Sequence, residues 1–296
     1  LLFREKTALA NCIDSLGVNA LELAPIKNVK EDTIINRTIA TVVKNSALCI
    51  PVGFTAESLN EAWESIRSAA KPCLQVILPV STVQMEYMYH YKDVKMLGKI
   101  EELCKAAKEK CECVEFVATD ATRAEVDFVV NACKKAEENG ATSVTLCDDA
   151  GVSLPGEFAK IVTAVKKECN IPVYVQVSDA ISMAVACAIE AISSGADGVK
   201  IAMCGKDTLL ADKFADIINA RGESIGVSCD LLTTEIHRDI AVMMKKINTE
   251  HDMQNTENET SADNICLDAD SSLSQTCEAV RVLGYELSDE DKLINN

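Results

Sequence analysis

Short, almost unbroken apolar runs recur along this chain about every 30 residues, each followed by a longer segment with helical periodicity. The runs fall at 20–26, 47–54, 74–80, 113–118, 143–147, 173–177 and 199–203. Strands that are apolar on both faces are covered on both faces, which points to a parallel sheet with helices outside it. The segments at 31–44, 57–70, 91–110, 123–139, 155–169, 181–194 and 207–220 read as those helices, with 5–16 as one more ahead of the first strand. Gly17, Gly140 and Gly195 stand just past three of these segments, where a helix ends most readily on glycine. Pro155 opens another, at a position where its missing N–H costs nothing.

This alternation predicts a (β/α)8 TIM barrel with a short C-terminal helical extension. Such a barrel closes with eight strands. Seven are legible here, so the first is expected upstream of Leu1, in line with a chain that begins on Leu rather than Met. An open doubly wound sheet is the alternative, although no strand leads into the G-x-G-x-x-G loop of its nucleotide-binding form. The barrel domain is expected over 1–224, a post-barrel helix within 225–247, an acidic flexible linker over 248–274, and the shortened start of a further subdomain over 275–296.

Apolar residues make up 48% of the chain but aromatics only 4%, so the core must be aliphatic. The formal charge of −17 repels nucleic acid and anionic membrane, and neither is expected as a partner. No run reaches the length of a membrane span, and a cytoplasmic location is expected. The fourteen cysteines are scattered, with only Cys111 and Cys113 close together and no C-x-x-C. They read as reduced, buried small hydrophobes, because the linear spacing of a zinc or iron–sulfur site is not present.

Polar side chains at the carboxyl ends of parallel strands are where a barrel keeps its chemistry. Gln176, Ser178 and Asp179 end one strand with an amide, a hydroxyl and a carboxylate, and no imidazole. Asp148 and Asp149 end another. Paired carboxylates can make an acid–base site, or they can cap the turn into the helix opened by Pro155. Asp120 and Arg123 fit either a structural pair or a substrate contact. Lys200 is a candidate Schiff-base nucleophile for a metal-free aldolase-like reaction. His237 reads as a surface residue of the post-barrel helix.

The stretches S-T-V-Q-M-E-Y (81–87), V-E-F-V-A-T-D-A-T-R (114–123), D-D-A-G-V-S-L-P-G-E-F (148–158) and 172–202 resemble the 2-isopropylmalate synthase and homocitrate synthase family. The resemblance runs from about Glu5 to Ala220, and L-G-Y-E-L-S-D-E-D (283–291) is similar to the start of that family's C-terminal subdomain. It implies a TIM barrel related to the HMG-CoA lyases, and an acyltransferase that condenses acetyl-CoA with a 2-oxo acid in amino-acid biosynthesis. It also implies a divalent metal, Mg²⁺ or Mn²⁺, that polarises the 2-oxo acid.

By the same resemblance, Gln176 and Ser178 stand at two metal-binding histidines of the family and Asp212 at its metal-binding Asn. Gln75 and Gln84 occupy the places of two further histidines and Thr119 that of an acidic residue, all positions that would face substrate. Asp149 replaces a threonine, while Asp148, Asp120 and Arg123 are retained as catalytic candidates. The resemblance further implies a homodimer or an assembly with an active homologue. A catalytically inactive paralogue that keeps the barrel for metabolite binding or pairing is the second reading.

Overall fold

The computed structural model of the chain describes residues 3–229 together with 231, 235, 236 and 238. The chain divides into two units, Leu1–Met243 and Met244–Asn296. The second unit, with the expected linker and C-terminal segment, lies outside the described residues, as does most of the expected helix at 231–246.

A helix, α1 (Phe3–Ser15), precedes the first strand, β1 (Ala20–Glu22). There follow α2 (Val29–Val42), β2 (Ala47–Val52), α3 (Ala56–Ile66) and β3 (Pro72–Pro79). Two helices come next, α4 (Thr82–Tyr89) and α5 (Asp93–Lys108), then β4 (Cys113–Thr119), a 3-10 turn (Ala121–Arg123) and α6 (Val126–Glu138). The remaining elements are β5 (Ser143–Asp148), α7 (Pro155–Glu168), β6 (Val173–Val177), α8 (Ala184–Ser193), β7 (Gly198–Lys200) and α9 (Ala211–Ile225). The seven strands form one parallel sheet in chain order, β1 to β7. Among the described residues its edges are β1 and β7.

The expected strands are therefore present, and the differences have local causes. The single helix expected at 91–110 is preceded by another, α4, which the periodicity hid because Val83, Tyr87 and Met88 are exposed. Its start is set by Ser81, whose side chain accepts the Gln84 N–H, and its end by His90 in the left-handed region at φ 55°. β7 is shorter than its apolar run because the chain turns away after Lys200, through Gly205 at φ 142°, and returns to meet Ala202 at Leu210.

Alternate strand residues divide between two surfaces. Leu74, Val76 and Leu78 of β3, Val114 and Phe116 of β4, and Val173, Val175 and Val177 of β6 are buried in one cluster with helix residues such as Ile100, Leu103, Phe158 and Val162. The other set faces into the curl of the sheet and includes Gln75, Glu115, Thr145 and Lys200. The sheet curls far enough for its edges to meet: Lys200 of β7 forms an ion pair with Glu22 of β1. Outside them Leu16, just past α1, packs with Ala211 and Ala215 of α9. This is a seven-stranded parallel (β/α) barrel whose helical ring and edge strands approach across the gap.

Candidate active site

The upper tier of the interior lies at the carboxyl ends of β3, β4 and β5. Asp120, directly after β4, is fully buried and takes the left-handed conformation at φ 58°, which Asp tolerates better than most side chains. It is held there from two sides. Ser81 donates its hydroxyl to one carboxylate oxygen, and Arg123 donates its Nε–H to the other at 2.7 Å. The ion pair with Asp120, with weaker help from Asp149 and Asp148, raises the pKa of Arg123, whose side chain stays half-exposed. The Asp120 N–H then points at the Asp149 carboxylate, 2.8 Å away.

Asp149 is the centre of this tier. It is exposed to solvent yet surrounded by protein, and that burial raises its pKa above the usual carboxylate range. The Asp120 and Asp148 charges push the same way, while hydrogen bonds from the Asp120 N–H and the Gln84 side chain partly oppose them. The Gln84 carbonyl accepts the Thr119 hydroxyl at 3.3 Å, so the glutamine bridges Thr119 and Asp149. A carboxyl of raised pKa beside hydrogen-bond donors and a cation is equipped for proton transfer.

Asp148, one residue away, has a different role. It points the other way and is buried, accepting the Thr122 hydroxyl at 2.8 Å and the N–H groups of Gly151 and Ser153 at 3.1 and 3.2 Å. It fixes the turn into α7. Gly151 in that turn has φ 64°, and a Cβ there would approach the Ala180 nitrogen to 2.8 Å, so the loop after β5 lies directly on the end of β6.

A second tier sits deeper. Glu115 of β4 accepts hydrogen bonds from Gln75 at 2.7 Å and from Thr145, and pairs with Lys200 at 2.8 Å. Gln75 and Lys200 both reach Glu22 as well. Burial disfavours the Lys200 charge, but Glu115 and Glu22 outweigh it and raise the lysine's pKa above its usual value. A lysine held as ammonium is no nucleophile, which removes the Schiff-base reading. Glu22, Ser81, Glu115 and Thr145 were not singled out in the sequence. The signal available was a polar residue at an inward position of an otherwise apolar strand, as in V-E-F and V-T-L.

The structure thus gathers Thr119, Asp120, Arg123, Asp148, Asp149 and Gln84 in one tier and places Gln75 in the tier below. Gln176 is half-buried on β6, level with Lys200 on β7. Ser178 bridges to Thr208, and Asp212 lies in the first turn of α9, where its carboxylate accepts the N–H of Lys213 at 2.8 Å. These donors do not fit a divalent ion of the kind that the histidines and Asn would hold: two are neutral oxygens, and the single carboxylate is tied to its own helix. Among the described residues, the one group of three acid, thiol or imidazole donors within 4.8 Å is Cys49, Cys73 and Glu115, which includes neither Asp179 nor Asp212.

A parallel barrel with its polar groups on the loops after the strands defines a class of barrel proteins that work at the carboxyl face. Within that class the chain belongs to the HMGL-like family, whose profile matches residues 1–207. It is 25% identical over 247 residues to a 2-isopropylmalate synthase of Clostridium kluyveri, covering 81% of this chain and 48% of the relative. It is 29% identical over 248 residues to one of Aliivibrio fischeri, covering 80% and 48%. The chain therefore spans about half the length of the curated relatives it matches. The fold is also that of a Bacillus subtilis HMG-CoA lyase, with a TM-score of 0.71 at 12% identity over 84% of this chain and 88% of that one. An HMG-CoA lyase solved in complex with coenzyme A and 3-methylmalate matches with a TM-score of 0.67 at 14% identity, over 82% and 84%. No helix among the described residues is long and apolar enough to cross a membrane.

Proposed function

We propose that this chain is a divergent acyltransferase of the 2-isopropylmalate or homocitrate synthase type, joining acetyl-CoA to a 2-oxo acid, with Asp149 as its acid–base group. The observation that carries the reading is the Gln84–Asp149–Asp120 arrangement at the carboxyl face. It sets a carboxyl of raised pKa between an amide, a backbone N–H and the half-exposed Arg123. In its ionised form Asp149 takes the α-proton of the acetyl thioester. The α-carbon then bonds to the 2-oxo carbon, whose oxygen takes the proton back from Asp149, and water hydrolyses the thioester to release CoA; Arg123 and Thr119 supply positive charge and a hydroxyl donor for the carboxylate and the developing alkoxide. The relatives' names support the substrate class. No step is assigned to a metal. The work is cytoplasmic, and the assembly is a homodimer or a pairing with an active homologue.

A specific observation favours a second reading. Gln176 and Ser178 stand where the family has imidazoles, and a barrel that loses its Lewis acid loses several kcal/mol of transition-state stabilisation, ~10³ or more in rate. That describes an inactive paralogue retained for binding a metabolite or a partner. CoA release from acetyl-CoA separates the two, followed by chromatography with 2-oxoisovalerate, 2-oxoglutarate, pyruvate and oxaloacetate, with and without Mg²⁺ or Mn²⁺. Turnover with one 2-oxo acid, reduced at least ~100-fold in Asp149→Asn, supports the acyltransferase. A folded chain that binds a 2-oxo acid without turnover supports the paralogue.

A further inference from the structure

We propose that Ser81 is a positioning residue for Asp149, acting on that carboxyl through the loop after β4 and through α4 at once. The proposal rests on the reading of Asp149 as the acid–base group. Strand register brings Ser81 to its place. Pro79 of β3 is level with Thr119 of β4, and the Val80 N–H continues the pairing by donating to the Thr119 carbonyl at 3.1 Å. One residue past that bond lie Ser81 on one side and Asp120 on the other, both fully buried.

The Ser81 hydroxyl works as donor and acceptor together. Its O–H donates to one carboxylate oxygen of Asp120. Its oxygen accepts the Gln84 N–H at 3.2 Å and so caps the start of α4. Through Asp120 it fixes the backbone N–H that donates to Asp149 at 2.8 Å, and also Arg123, whose Nε–H holds the other oxygen of the same carboxylate at 2.7 Å. Through Gln84 it fixes the side chain that bridges Thr119 and Asp149. One buried hydroxyl therefore sets both hydrogen-bond donors that reach Asp149.

A serine that only capped a helix would leave Asp149 untouched. The link to Asp149 comes from the conformation of Asp120. Its φ of 58° aims the N–H at Asp149, and a non-glycine residue stays in that region only when its surroundings hold it. The ionisable groups that face Asp149 are Asp120 and Arg123 from the loop after β4, and Asp148 and Cys147 from β5. In Ser81→Ala the Asp120–Arg123 pair remains, so the change at Asp149 is the loosening of its two donors. Both donors favour the ionised carboxylate, and their loss raises its pKa further.

The test is a carboxyl-carbon NMR titration of Asp149 in the full chain, its signal assigned by its loss in Asp149→Asn. The expected result is a midpoint in Ser81→Ala about half a pH unit or more above that of the wild type. Thr55→Ala is the control, because Thr55 caps α3 in the same way, its side chain accepting the Ser58 N–H at 3.2 Å. It lowers the urea midpoint and leaves the Asp149 titration where it was. If Ser81→Ala does not fold, Ser81→Cys decides alone, by a smaller rise, since a thiol of similar size is a weak donor. Turnover is the second readout: the acid limb of the kcat profile moves to higher pH with the titration. A wild-type chain without turnover overturns the acyltransferase reading, and the titration still decides the role of Ser81. A folded Ser81→Ala or Ser81→Cys in which Asp149 titrates as in the wild type, or a Thr55→Ala that moves it equally, overturns the proposal.

Discussion

At the carboxyl ends of β4 and β5 the ionisable side chains sit on or beside loops, open to solvent in part, and are carboxylates with one guanidinium. At the amino end they sit on the strands or brace them, are buried, and are mostly thiols. Three of the four non-glycine residues in the left-handed region, Asp120, Ser182 and Asp207, belong to the carboxyl-end loops. At the amino end, the buried Asp14 in the last turn of α1 accepts the N–H groups of Lys44, Asn45 and Ser46 just ahead of β2. Between the two ends lies the tier of Glu22, Gln75, Glu115, Thr145 and Lys200. The contrast teaches a division of labour: loops can hold strained, charged groups ready for substrate, while strand interiors hold groups whose value lies in being fully partnered.

The largest expected effect on stability comes from the middle tier. Lys200→Met leaves the buried Glu115, and with it the exposed Glu22, without their cation, and urea denaturation should report a loss of about 3–5 kcal/mol. A loss within error of zero would mean that the tier is dispensable and the two ends are not separated by it.

Asp14→Ala comes next, at about 2 kcal/mol, because three backbone N–H groups lose their acceptor. Burial works against the Asp14 charge, but the N–H groups of Lys44 and Ser46 outweigh it and lower the pKa to about 2. A lowered pKa gives stability that is complete above the unfolded value of about 3.9 and is lost as pH falls towards about 2. Acid titration of the wild-type chain should therefore show a loss in that window that Asp14→Ala lacks.

The smallest effect has the opposite sign. Asp149 has a raised pKa, so the folded chain keeps that proton longer than the unfolded one, and stability falls as pH rises through the raised value. Asp149→Asn removes this cost, and its urea midpoint at neutral pH should be slightly above that of the wild type. A lower midpoint would place Asp149 among the structural groups with Asp148.

Much of this architecture is legible in the sequence because it is local. The seven strands announce themselves as apolar runs, and Pro155 and Gly195 punctuate the helices. Thr119, Asp120 and Arg123 are legible as a group because one short loop carries them. The middle tier is not, because Lys200 meets Glu22 from 178 residues away and only the curl of the sheet brings them together. The level placement of Cys49, Cys73 and Cys113 on β2, β3 and β4 is hidden for the same reason: it is set by strand register and not by a local motif. The structural role of Asp148, as against the open position of Asp149, turns on which way each side chain points from the end of β5.

The division of labour is tested most directly by measuring acetyl-CoA turnover and urea stability together in Asp149→Asn and Asp14→Ala. The account predicts that Asp149→Asn loses turnover at least ~100-fold and keeps its stability. It predicts that Asp14→Ala loses about 2 kcal/mol and, while folded, turns over as the wild type does. Full turnover in Asp149→Asn, or turnover lost in folded Asp14→Ala, would contradict it.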